Sequence, residues 1–210
     1  LSDSDVDTLG GTQVLGRGTT WGLRRSVPVG RAGSLSWGAD LKLLREKTVF
    51  GTGSIDTPLH YLPFQAAYND QWDSAWGRLQ LNTSLVFALR SLLQRDVDCP
   101  LADGSDGRAD QFACKRQGAD GSFAALRFDL RWSRPLGGGS ASLRLGGQYA
   151  SQPLVSAEQF SLGGADTVRG YLEGEASGDA GVLGSAEWRS ASVATVLGDP
   201  WRDLSGLAFV

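Results

Sequence analysis

Asp129 stands between Arg127 and Arg131 at two-residue spacing, and Glu187 stands two residues before Arg189. A pair of carboxylates across a cleft could supply the acid and the base for glycoside cleavage. Charges pointing into water from neighbouring strands form ladders with the same spacing and no catalysis, and that is the reading adopted. The lone histidine, His60, lies within a long polar stretch and cannot build a histidine triad or a multi-histidine metal site. No G-x-S-x-G occurs, and "GRGTTW" from Gly16 lacks the third glycine of a dinucleotide fingerprint. Two cysteines, Cys99 and Cys114, have no histidine near them, so no metal site and no cofactor are expected. The expectation is a protein that is not an enzyme.

One further segment carries chemistry of another kind. In "SLGGADTVRGYLEGEASGDAG", Gly163, Gly164, Gly170, Gly174, Gly178 and Gly181 surround a single cation, Arg169, together with four acids. Glycine lets a backbone turn tightly or approach another surface closely. Val168, Arg169 and Tyr171 supply the bulk. An arginine brought into a confined space loses hydration and stays only if carboxylates accept its planar donors.

The elements that must position this arginine alternate with a period of two. Leu79, Leu81, Thr83, Leu85, Phe87 and Leu89 fall on one face of "RLQLNTSLVFALRS", opposite Arg78, Gln80, Asn82, Ser84 and Arg90. "LRFDLRW", "ASLRLGGQY" and "SLSWGADLKL" repeat the pattern, and "TWGLRRSVPV", "LPFQAAYND", "GVLGSAEWRS" and "LSGLAFV" complete about eight strands of roughly nine to twelve residues. Arg25 interrupts the alternation. "GRAG", "DQWDSAWG" and "PLGGG" read as short turns, whereas Lys47 to Leu62, Leu93 to Ser122 and the opening stretch read as long polar connections.

Short turns at one end and long loops at the other fit a membrane β-barrel better than a soluble sandwich. Tryptophans Trp21, Trp72, Trp76, Trp132 and Trp188 would suit interfacial girdles. The absence of 18 consecutive apolar residues excludes a membrane helix but not a membrane strand. A net charge of -3 with scattered cations offers no footprint for nucleic acid. Cys99 and Cys114 flank a turn-rich stretch; paired, they would close a loop worth about 3 kcal/mol and indicate an oxidising compartment, the alternative being two free thiols.

"EQFSLGGADTVRGYLEGEASGDAGVLGSAEWR", Glu158 to Arg189, resembles the hallmark region of the Omp85 superfamily of outer-membrane proteins. It is most similar to the two-partner secretion transporters, the hemolysin secretion/activation (ShlB/FhaC/HecB) family. F-x-L-G-G precedes V-R-G-Y, and Y-x-E-G, G-D-x-G and a strand with E-x-R follow it. The resemblance implies an all-β fold, part of a sixteen-stranded antiparallel transmembrane barrel preceded by POTRA domains. Residues 1–210 would form a fragment of about half that barrel. It implies that the loop with Val168, Arg169, Gly170 and Tyr171 enters the lumen, and that Glu187 is one acidic partner of Arg169. A second family acid would follow "LSGLAFV", beyond Val210.

The implied location is the bacterial outer membrane, and the implied partners are a secreted exoprotein, outer-membrane lipid and lipopolysaccharide. Oligomeric state stays open. A barrel-assembly factor of the same superfamily and a barrel attached to a patatin-like phospholipase are the alternatives. The reading requires leucines such as Leu81 and Leu145 to face away from the side that holds Arg169.

Overall fold

Alternating apolar and polar residues bury one face of an extended chain and wet the other, and the backbone then needs neighbours for its hydrogen bonds. The computed structural model describes residues 2–8, 12–50, 53–100, 106–192 and 205–210, with side chains over 17–45, 58–99, 107–192 and 205–210. The fold is all-β. In chain order the strands of the main sheet are β1 (Ser2–Thr8), β2 (Thr12–Val29), β3 (Gly33–Phe50), β4 (Gly53–Tyr61), β5 (Pro63–Ser74) and β6 (Gly77–Ala88). An excursion follows, with β7 (Asp96–Pro100), β8 (Asp106–Asp110) and α1 (Gln111–Lys115). The sheet resumes with β9 (Phe123–Leu136) and β10 (Gly139–Ala150). A ribbon of β11 (Phe160–Leu162) and β12 (Ala176–Gly178) leads to β13 (Gly181–Ser190) and β14 (Leu207–Phe209).

The main sheet runs β1-β2-β3-β5-β6-β9-β10-β13-β14, antiparallel at each pairing, with β4 also on β3. Its order follows the sequence, as up-and-down connection demands. Among the described residues the sheet does not close; β1 and β14 are its edges. Tight turns after Val29, Ser74 and Leu136 share one end, and the connections from β6 to β9 and from β10 to β13 leave from the other.

Three expectations need correction. Lys47 to Leu62 is no polar loop: β3 runs on to Phe50 and returns in β4 with Phe50 opposite Gly53, so His60 lies in a strand. Ladder hydrogen bonds do not require apolar side chains, so a polar hairpin can extend past an apolar band. Lys42 faces Tyr61 and Ala39 faces Phe64 in one register, so β4 and β5 are one strand interrupted at Leu62 and Pro63; proline has no N–H to complete the rung. The opening stretch likewise pairs as β1 with β2, which makes β2 and β3 18 residues each. Trp21 consequently sits within β2, not near its end.

The apolar side chains face away from the long connections. Leu23 is 82% exposed, Leu126 49%, Leu143 50% and Leu145 44%. A soluble sandwich would cover such a face. On the loop-bearing face the chain is dry only near the long-loop end. There Val86, Ala88, Phe123 and Ala125 pack with Leu59, Tyr61 and Phe112, and Tyr61 meets Phe112 edge-on at 5.5 Å. The charged ladder therefore does not line this face along its whole height.

Candidate functional site

The connection from β10 to β13 lies against the loop-bearing face. Its stem is the β11–β12 ribbon, in register from Phe160 opposite Gly178 to Leu162 opposite Ala176. Beyond the ribbon the chain folds on itself. The Gly163 N–H donates to Thr167 Oγ1 at 2.7 Å, and that hydroxyl donates back to the Gly163 carbonyl at 2.6 Å. The Gly164 N–H donates to the Tyr171 carbonyl at 3.1 Å, and the Leu172 N–H to Glu175 Oε2 at 2.9 Å.

Gly163, Gly164, Gly170 and Gly174 all have positive φ, while Gly178 lies in β12 and Gly181 opens β13. At Gly163 the requirement is double: φ is +114°, and a Cβ would lie 2.0 Å from the Leu172 carbonyl oxygen. At Gly181 it is close approach, because the Phe160 ring lies 2.7 Å from where a Cβ would be.

At the tip Arg169 forms an ion pair with Glu187, the partner expected from the sequence, and not the Arg189 that spacing alone would pair with it. Their side chains are 36% and 29% exposed. The Arg169 guanidinium also lies 4.6 Å from the centre of the Phe209 ring on β14, a contact the sequence did not suggest. Glu187 lies opposite Ser142 and three residues from Ser190, at the tight-turn end of β13. From Gly181 to Glu187 is about 20 Å at ~3.4 Å per residue, so the loop reaches down most of the strand. Val168 is half-buried, and Tyr171 and Leu172 are exposed.

The wall beside the tip carries the expected ladder. Asp129 accepts from Arg131 Nε and Arg144 Nε, each at 2.6 Å. Arg144 also donates to the Asp166 carbonyl at 2.5 Å, which ties wall to loop. A cavity of ≈ 910 Å³ separates the two, bounded by Arg131, Arg144, Thr167, Arg169, Glu187 and Phe209.

Arg127 takes no part in that ladder. Its Nη2 reaches Glu158 Oε2 at 2.9 Å, and its Nε donates to Gln148 at 2.7 Å. Glu158, 1% exposed at the base of the loop, also accepts from Lys42 Nζ at 2.5 Å and from the Tyr61 hydroxyl at 2.6 Å. Burial opposes its ionisation, yet Lys42, Tyr61 and Arg127 together hold the carboxyl below its ordinary pKa. Asp179, at the other foot of the loop, pairs with Arg116 and accepts from the Leu154 N–H at 2.9 Å and from Gln159 at 3.2 Å. The hydrogen bond from Arg116 is the main cause that lowers its pKa.

The excursion between β6 and β9 covers the loop base from the other side. Cys99 and Cys114 are bonded, with Cα atoms 5.9 Å apart, and join β7 to α1. Gln111, 1% exposed, accepts from the His60 N–H at 2.8 Å and donates to the carbonyls of His60 at 2.7 Å and Leu93 at 3.0 Å. This arrangement holds and positions; its polar groups bond one another.

Residues 103–190 match the model of the haemolysin secretion/activation protein family ShlB/FhaC/HecB. The matched span runs from the excursion through the arginine loop to the end of β13. The resemblance read from the sequence therefore stands, and the family it points to is one of outer-membrane transporters, not of enzymes. No curated protein matches the chain.

Proposed function

We propose, from a chain whose central segment is similar to the two-partner secretion transporters, that these residues form wall and lumen loop of an outer-membrane barrel. The whole protein would export a large unfolded exoprotein, a hemolysin or adhesin. The exposed apolar face meets lipid, and the loop-bearing face lines the route. No covalent chemistry is needed, because folding of the cargo outside supplies the free energy.

The observation that carries this reading is the Arg169–Glu187 ion pair at the tip of a loop that descends along the wall. Such a tether fixes the loop, and with it the width of the path. The test is Arg169→Ala in the whole protein. Secretion should fall while heat-modifiable migration in detergent remains; undiminished secretion would overturn the role given to the loop.

A further inference from the structure

Two arginines stand near the tight turns on the apolar face, whose other charged side chains among the described residues are Arg17 and Arg45 toward the far end and Asp70, which accepts from the Tyr68 hydroxyl at 2.6 Å. Arg25 continues the row of Trp21 and Leu23 on β2 and lies opposite Trp37, with its guanidinium 5.9 Å from the centre of that ring. Arg134 continues the row of Leu130 and Trp132 on β9, 5.8 Å from the Trp76 ring. The Trp132 indole N–H donates to the Trp76 carbonyl at 3.0 Å and fixes the turn that carries Trp76. Both arginines lie within four residues of a strand end at the tight turns, Val29 for Arg25 and Leu136 for Arg134. Trp72 and Trp188, 42% and 45% exposed, share that face and that end.

Among the described residues, Arg24, Arg127, Arg131, Arg144 and Arg169 on the opposite face each reach a carboxylate, whereas no ion pair serves Arg25 or Arg134. An indole face attracts a guanidinium but accepts none of its five N–H bonds in plane. Beside hydrocarbon those donors need an anion from outside the protein, and a phosphodiester matches the planar fork. Tight turns mark the periplasmic side of such barrels, which places both arginines at headgroup level.

We propose that the Arg25–Trp37 and Arg134–Trp76 pairs are two binding sites for the phosphate of an anionic phospholipid at the tight-turn rim. This inference rests on the membrane reading above.

The test uses the whole protein in phosphatidylcholine vesicles with and without phosphatidylglycerol, with retained lipid counted by native mass spectrometry after extraction. Phosphatidylglycerol should be enriched about fivefold per arginine, the weight of one cation near an anionic surface. Arg25→Gln with Arg134→Gln should abolish the enrichment while heat-modifiable migration persists. No enrichment in the parent, or full enrichment in the double variant, overturns the sites and leaves the barrel standing. Arg25→Lys with Arg134→Lys separates a bidentate seat from general attraction; enrichment equal to the parent's in that variant also overturns the proposal. Failure to insert into either vesicle sinks the membrane reading and the sites together.

Discussion

Arg169 reaches Glu187 from a loop that enters at the opposite end of the strand on which Glu187 lies. The tip contact is about one-third exposed on each side, whereas Glu158 at the loop base is closed off from solvent. Ion pairs open to water contribute little to stability, and breaking a buried one is costly. The loop is thus held firmly at its base and lightly at its tip.

Glu187→Gln should therefore cost under about 1 kcal/mol of unfolding free energy, because solvent screens the pair. Secretion should nevertheless fall, and Arg169→Ala added to Glu187→Gln should lower it no further. Urea unfolding in detergent and a secretion assay check the two halves; additive losses of secretion would show that the residues act separately.

Glu158→Gln should cost about 3–5 kcal/mol, because Lys42 and Arg127 keep their charges beside a neutral amide. The same urea titration measures it. A loss no larger than that of Glu187→Gln would contradict the assignment of Glu158 as the anchor.

The loop base should loosen in acid. Asp179 and Glu158 have pKa values below those of ordinary carboxylates, so their contribution is complete above the unfolded-state pKa, near ~4. It is lost as pH falls through the lower folded values. Pepsin cleavage between residues 151 and 180 should rise across that window, and Asp179→Asn should flatten the dependence on pH.

Replacing both cysteines, Cys99→Ser with Cys114→Ser, should remove about 3 kcal/mol from the excursion by the chain-entropy relation. Protease cuts should concentrate between residues 93 and 122. The antiparallel sheet should keep its far-ultraviolet circular dichroism, since the bond lies outside it.

Strand positions and the identity of the bare face were legible because a period of two separates Leu79, Leu81 and Leu85 from Gln80, Asn82 and Ser84 without ambiguity. Arg169 stood out as the lone cation in a glycine-rich run. Glu158 is not legible as an anchor, because Lys42, Tyr61 and Arg127 reach it from three separate strands and local spacing does not record such a meeting. A signal did exist for the dry patch: "VFA" and "FAA" break the alternation at the upper ends of β6 and β9, as a strand covered on both faces does. The β3–β4 hairpin is not legible as strands because its residues are polar on both faces and show no period of two.

The missing rung at Pro63 divides one long strand into two storeys. Below it, Phe64 stacks on Phe87 at 5.3 Å in the outward row. Above it, Leu59 and Tyr61 lean on Phe112 under the disulfide-bonded cover. Pro63 is then a crease at which an awning meets its wall.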